Sequence, residues 1–138
     1  MLIKPSGCLK AKLGEMHYSA KKIPVMCDVE TVYEWAAFMN GRLDEVRQSL
    51  KQEGVLHEQW YLGVDGAKIF LVGVMKTSDM QRARKVASTS SLEVDKYHQR
   101  FKRNWIREEI RDLSTDGVST PSFPDLKLIL DIHLKTPE

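Results

Sequence analysis

The residue whose type and position most favour acid–base chemistry is His98. It borders the apolar face of a predicted helix, whose inward residues surround it at steps of four, three and four: Val94, Phe101 and Trp105. A neutral imidazole in such a place can transfer a proton near pH 7. The alternative is a histidine at the edge of the core that is hydrogen-bonded to a neighbour. Asp95 and Tyr97 are close enough in sequence to position a ligand, or simply to cap and pack the helix.

Glu58 is the second candidate acid–base group, because it shares the apolar face of a predicted strand with Leu56 and Trp60. A carboxylate on an apolar face needs a partner or takes a raised pKa, and such groups are common at functional sites. The alternative is a structural ion pair with Arg42 or Arg47 of the preceding helix. If Glu58 and His98 come together, they form a pair suited to proton transfer on a sugar or an enol.

Five further residues are candidates for binding and orienting a small molecule: Arg42, His57, Tyr61, Tyr97 and Trp105. His57 and Tyr61 lie on the polar face of the strand that carries Glu58. That face would line a cavity if a second sheet packed against it, and otherwise it would be a solvated rim.

The absence of several known motifs disfavours the classes of enzyme that use them. The 138 residues contain no Walker loop, GxGxxG, HExxH, GxSxG or EF-hand spacing, which disfavours nucleotide, zinc-protease and serine-hydrolase chemistry. Cys8 and Cys27 have neither CxxC spacing nor a Cys/His cluster near them, so a zinc finger is excluded and a disulfide framework is disfavoured. The sequence therefore predicts a site that works without a metal or cofactor.

Charge and hydropathy limit the partners. Lysine and arginine number 21 against 19 aspartates and glutamates, which gives a net charge of +2. A dedicated nucleic-acid binder usually carries a larger excess on one face, so we predict no nucleic-acid partner. No apolar run approaches the roughly 18 residues of a membrane span, and no signal-type apolar stretch precedes Cys8. The protein is predicted to be soluble and cytoplasmic.

The elements that must position these residues follow the order strand, helix, strand, strand, helices, strand. The predicted strands are 23–29, 55–64, 67–76 and 126–134, and the main helices are one that continues from Val32 across Gly41 to Gly54 and one over 93–113. A short helix from about Ser78 to Ala87 lies between them. Residues 1–21 are predicted to be a basic arm, and 22–138 a single domain, because 138 residues suit one domain.

This order predicts an α+β, ferredoxin-like βαββαβ fold with a four-stranded antiparallel sheet, helices on one face and an extra short helix. The strand 67–76 is apolar without alternation, which predicts burial on both faces. Two sheets facing each other in a homodimer, as in a dimeric α/β barrel, would cover the second face. The alternative is that the loop 114–125 or the N-terminal arm folds over the sheet.

Four runs within about residues 23–110 match a known pattern: Arg42-Leu43-Asp44-Glu45-Val46, Leu50-Lys51-Gln52-Glu53-Gly54-Val55, Val74-Met75-Lys76-Thr77-Ser78-Asp79-Met80 and Asp95-Lys96-Tyr97-His98. On these runs the chain resembles an uncharacterised bacterial domain family with a dimeric α/β-barrel fold. The layout is more distantly similar to small sugar mutarotases and cofactor-independent monooxygenases. The resemblance implies a small-molecule-binding protein, with a cofactor-independent, mutarotase-like isomerase as the enzyme to test. The rival expectation is a non-catalytic structural or regulatory homodimer.

Overall fold

The computed structural model describes residues 15–116 and 119–134, and the fold is given for those ranges. The strands are β1 (His17–Val25), β2 (Val55–Asp65), β3 (Lys68–Thr77), β4 (Arg111–Leu113) and β5 (Lys127–His133), and the helices are α1 (Val29–Asn40), α2 (Leu43–Glu53), α3 (Met80–Thr89) and α4 (Glu93–Phe101). Two 3₁₀ turns follow α4, at Lys102–Asn104 and Arg107–Glu109. In the described part of the chain, no helix has the length and hydropathy needed to cross a membrane.

The five strands form one antiparallel sheet in the order β4-β1-β3-β2-β5. The central strand β3 is buried on both faces, as predicted, since Leu71 and Val72 belong to cores on opposite sides of the sheet. Near its start β2 bulges by one residue, because Val55 pairs with Thr77 whereas His57 pairs with Lys76.

The predicted four-stranded ferredoxin-like sheet is wrong, and the dimeric α/β barrel built on it falls with it. The predicted last strand is the fifth strand, β5, which pairs with β2. The edge beside β1 is taken by β4, which lies inside the predicted helix 93–113. That helix ends at Phe101, and Arg111–Leu113 is a strand because it pairs with the segment 20–22 of β1. Three residues without apolar alternation carry no strand signal of their own.

The predicted continuous helix is two helices separated at Gly41. The side chain of Asp28 caps α1 by accepting the Thr31 N–H at 2.9 Å. Gly54 ends α2 with φ +76°, a left-handed conformation that glycine adopts most easily. Because α1 and α2 are separate, each can turn its own apolar stripe toward the sheet.

The first strand begins earlier than the sequence predicts. β1 starts at His17, so 17–21, which the sequence analysis placed in the basic arm, pair with β3. Residues 1–14 of that arm lie outside the described residues, and the arm remains a prediction for them.

Helices cover one face of the sheet, and the main core lies between the two layers. It includes Trp35 of α1, Leu50 of α2, Ala83 of α3 and Val94 of α4. A smaller core lies on the outer face of the sheet: Ala20, Tyr61, Val72 and Val74, with Phe123 and Leu126 packed against it. The loop before β5 therefore covers part of the outer face from within the chain, and the homodimer remains a prediction.

Candidate functional site

A cavity of about 410 Å³ lies between the helical layer and the inner face of the sheet. Its floor comes from four strands, with Ile23, Trp60, Met75 and Leu130 as apolar members, and its walls come from all four helices. Glu58 and His98 both line this cavity. The two residues that the sequence marks for acid–base chemistry therefore border the same space.

Glu58 reaches the cavity from β2. Its carboxylate accepts a hydrogen bond of 2.5 Å from Trp60 Nε1. Arg42 and Arg47, the alternative partners, pair instead with carboxylates of α2. The Glu58 side chain is half-buried and lines the cavity. Burial raises the pKa of Glu58 to about 7, against the Trp60 hydrogen bond and with the help of the nearby negative charge of Asp95.

Two more acids and a serine lie on the helical side of the cavity. Ser49 Oγ is 2.8 Å from Glu53 Oε2 and 2.5 Å from Asp95 Oδ1. A hydroxyl has one hydrogen, so Ser49 cannot donate to two carboxylates at once. The contacts are satisfied if a protonated Glu53 donates to Ser49 and Ser49 donates to Asp95.

The protonation state of Glu53 agrees with this arrangement. Burial raises its pKa to about 8, and the charges of Glu58 and Asp95 add to the shift, against the Ser49 hydrogen bond and the Lys102 ammonium. Glu53 is therefore mostly neutral at pH 7. Glu53 is not among the residues predicted from the sequence, although its place three residues after Leu50 continues the apolar stripe of α2.

His98 lies among three indole rings. Its imidazole stacks on Trp35 with 5.6 Å between ring centroids, and it makes edge contacts with Trp60 and Trp105 at 5.7 and 6.0 Å. Burial lowers the pKa of His98 to about 3, and the charge of Lys102 adds to the shift. The imidazole is therefore neutral at pH 7, when it can both donate and accept a hydrogen bond.

Three buried polar atoms beside the cavity have no hydrogen-bond partner within residues 15–116 and 119–134: Trp35 Nε1, Trp105 Nε1 and Asp95 Oδ2. All three residues line the cavity. Buried polar groups are nearly always paired in folded proteins, and leaving one unpaired costs about 1–3 kcal/mol. Two donors and one acceptor are thus left for a molecule in this space.

Cationic side chains surround the opening of the cavity. Of the lining residues, Arg84 and Arg107 are the exposed ones, so the opening lies between α3 and the second 3₁₀ turn. Lys21 and Lys102 line the same region, and Lys21 pairs with Asp112 at 2.6 Å. Burial and the charges of Arg107 and Arg84 lower the pKa of Lys102, against a weaker opposing effect of Glu53. The opening therefore carries more positive than negative charge.

The other predicted residues, apart from Trp105, lie away from the cavity. Arg42 and Tyr97 contact the ring of Phe38, with the guanidinium 4.7 Å and the Tyr97 ring 4.3 Å from its centroid. Tyr61 packs in the outer-face core, and His57 lies on the same face of β2. These four residues thus lie in two places, both separate from the cavity that Trp105 lines.

A family model, described as a family of unknown function (DUF6176), matches residues 19–125. The chain belongs to the DUF6176 family. The matched range includes every cavity-lining residue except Leu130 and ends before β5. No curated protein and no solved structure matches the chain. The description of DUF6176 assigns no activity, so the function is undetermined by relatives.

Proposed function

We propose that this DUF6176 protein binds a small organic anion in the inner cavity and exchanges a proton with it through Glu58. The observation that carries the proposal is the placing of three unpartnered buried polar atoms, on Trp35, Trp105 and Asp95, around one cavity. A volume of about 410 Å³ falls in the range of small-molecule sites, roughly 300–1,000 Å³.

The cavity walls favour an apolar or aromatic body for the bound molecule. Three indole rings border the space, and the flexible side chains of Met39 and Met75 are among its other apolar lining residues. Aromatic rings stack on indoles, and thioethers adapt to irregular shapes. Polar groups beside these walls, such as His98 and Asp95, can orient a ligand whose body is held by shape.

The charge at the opening favours an anionic group on that body. Arg84, Lys102 and Arg107 lie together there, and burial together with repulsion by Arg107 and Arg84 lowers the pKa of Lys102. A carboxylate or phosphate would relieve this repulsion, and guanidinium groups bind both anions with paired hydrogen bonds. The ligand would thus enter with its apolar end inward and its charge at the opening.

Glu58 is the group best suited to proton transfer near neutral pH. A general acid or base works best when its pKa is close to the working pH, and the pKa of Glu58 is about 7. His98, the predicted proton shuttle, takes a hydrogen-bonding role here because its pKa is about 3. The chemistry that fits is an enol-type isomerisation without a cofactor, in which Glu58 accepts a proton from carbon and returns it to a neighbouring atom.

Binding can be measured by intrinsic fluorescence, because all three tryptophans of the chain line the cavity. Phenylacetate and phenylacetamide share one ring and differ by the negative charge. We expect phenylacetate to cause a saturable change in tryptophan emission and to bind more tightly than the amide. Native mass spectrometry of freshly purified protein adds the mass of any retained ligand. If a panel of aromatic and aliphatic carboxylates produces no saturable change, the proposal is wrong.

Two alanine-to-phenylalanine variants give a matched control. Ala87 lines the cavity on α3, whereas Ala37 is exposed on α1. Ala87→Phe should block the fluorescence response, and Ala37→Phe should preserve it, with both proteins folded by circular dichroism. Equal responses in the two variants would place the binding site elsewhere.

Proton transfer can be separated from binding. Phenylpyruvate enolises, so exchange of its C3 protons with D₂O reports deprotonation by NMR. General acid–base groups contribute roughly 10²–10⁴ in rate, and Glu58→Gln should therefore slow the catalysed exchange by at least roughly 100-fold while phenylacetate binding persists. An unchanged exchange rate would show that Glu58 does not transfer the proton, and only the binding part of the proposal would stand.

The predicted homodimer is a separate proposal. Sedimentation at micromolar concentration tests it, since one chain has a mass of 15.9 kDa. A species of twice that mass would support the dimer, and a single species of one chain would contradict it.

A further inference from the structure

The outer face of the sheet, opposite the cavity, carries a cluster of two histidines and an aspartate. His57 of β2 pairs directly with His133 of β5 in the register, and Asp131 lies two residues before His133 on the same strand. Directly paired residues on neighbouring strands face each other, and residues two apart share a face. The ladder between β2 and β5 therefore brings the three side chains to one spot.

The three side chains of this cluster lie close enough together to converge on one metal ion. His57 Nε2 lies 2.8 Å and His133 Nε2 lies 4.0 Å from Asp131 Oδ1. The three potential ligand atoms all lie within 4.8 Å of one another. In a tetrahedral Zn²⁺ site with bonds of about 2.1 Å, ligand atoms are about 3.4 Å apart. His133 stacks on His57 with 3.6 Å between ring centroids, so the exposed side chains of Asp131 and His133 must rotate for both imidazoles to point at one ion.

We propose that His57, Asp131 and His133 bind a divalent transition-metal ion, with Zn²⁺ as the best fit. Two imidazoles and one carboxylate are a donor set that Zn²⁺ and its neighbours in the first transition row accept, and three protein ligands leave coordination positions for water. The site lies on the other face of the sheet from the cavity, so it does not rest on the proposed function.

Tyr18 supplies the supporting contact that metal-binding histidines commonly have. Its hydroxyl lies 2.6 Å from His57 Nδ1. In the metal-free chain His57 Nε2–H donates to Asp131, so Nδ1 accepts from Tyr18. With a metal on Nε2, the ring proton moves to Nδ1 and donates to the Tyr18 oxygen, which fixes the ring in the ligating tautomer. The imidazole needs no change of position for this exchange.

Two further features bear on the charge of the site. Lys76, which pairs with His57 across β2 and β3, is the nearby positive charge that opposes a cation. The carboxylate of Asp131 offsets that charge.

The test uses the full chain stripped with a chelator and titrated with Zn²⁺ alone by calorimetry. We expect one ion per chain in the wild type. In His133→Ala and in Asp131→Asn the affinity should fall by at least roughly 100-fold, which is more than is typical for residues that contact a ligand but not the metal. These two residues are exposed, so the variants should fold, whereas His57 is buried. Tyr18→Phe should weaken binding by roughly 10-fold.

His17→Ala is the matched control, because His17 is an exposed histidine of β1 outside the cluster. It should bind Zn²⁺ as the wild type does. Zn²⁺ should also raise the melting temperature of the wild type and of His17→Ala but not of His133→Ala, since a ligand stabilises the state it binds. Failure of the wild type to bind Zn²⁺ at micromolar concentration, or retention of wild-type affinity in both cluster variants, would overturn the proposal.

Discussion

At the scale of single residues, a buried carboxyl that keeps its proton makes stability depend on pH. The pKa of Glu53 is about 8 in the folded protein and 4.5 without the fold. Between these values the folded state holds a proton that the unfolded state has lost. Stability therefore falls as the pH rises from about 4.5 to about 8. His98 acts in the opposite direction, because its pKa falls from 6.5 to about 3 and stability is lost as the pH falls through that range.

Glu53→Gln replaces the carboxyl with a neutral group of the same shape that can donate to Ser49. We expect the variant to match the wild type in stability near pH 4.5 and to exceed it by more than about 1 kcal/mol at pH 9, since one pKa unit corresponds to about 1.4 kcal/mol. Urea unfolding at several pH values measures the difference, in which the contribution of His98 cancels. Glu34→Gln, on the exposed face of α1, should run parallel to the wild type. A constant difference across this pH range would contradict a neutral Glu53.

Some residues that line the cavity can be predicted from a local sequence pattern, and others cannot. Glu58 and His98 could be predicted because each interrupts or borders an apolar pattern. Glu53 carries a similar signal on the stripe of α2. The contact between Ser49 and Asp95 joins residues 46 apart, and it depends on how α2 packs beside α4, which no local pattern states.

At the scale of elements, β3 supports the cavity through the absence of a side chain. A Cβ built on Gly73 would lie 2.7 Å from the ring of Trp60, closer than real contacts allow. Trp60 in turn donates to Glu58. The glycine thus lets the indole lie flat on the central strand and hold the carboxylate.

Gly73→Ala should displace the Trp60 ring and destabilise the protein by about 1–3 kcal/mol, as overpacking does. Chemical denaturation measures the loss, and tryptophan emission should shift because the indole moves. The double variant Gly73→Ala with Trp60→Phe should recover part of the loss, since the smaller ring leaves room for the methyl group. Strictly additive effects of the two changes would contradict a direct clash.

Periodicity predicts the elements whose own sequence carries a regular apolar pattern. The hairpin of β2 and β3 and the edge strand β5 follow from it. The break at Gly41 was not predicted, because the stripe of α1 continues in α2 at nearly the same spacing. β4 was not predicted either, because pairing with β1 alone makes it a strand.

At the scale of the whole molecule, the sheet has a helical cover on one face and a partial loop cover on the other. Phe123 makes an edge contact with Tyr61 at 5.3 Å between ring centroids, and Pro121 beside it is buried. The sequence leaves two possible covers for this face, the loop or a second copy of the chain. Which of them covers it depends on long-range packing, which no local pattern in the sequence shows.

Phe123→Ala should destabilise the protein by about 1–2 kcal/mol, somewhat less than the value for a fully buried phenylalanine because Phe123 is half-buried. Denaturant unfolding measures this loss. Leu128→Ala on β5 is the control, since Leu128 is 45% exposed and its truncation should change stability by no more than about 0.5 kcal/mol. Equal effects of the two substitutions would show that the loop does not cover this face in solution.

The bulge near Leu56 has a consequence for changes in chain length. Val55 belongs to the main core, yet His57, two residues later, lies on the outer face, because the bulge absorbs one residue. Deletion of Leu56 would make β2 regular and still leave His57 outward and Glu58 inward. It would remove the hydrogen bond that the Leu56 carbonyl accepts from the Leu134 N–H. Deletion of a single residue after Glu58 would instead reverse the face of the sheet to which each later residue of β2 points. We therefore expect homologues that differ in length in this part of the chain to differ at Leu56.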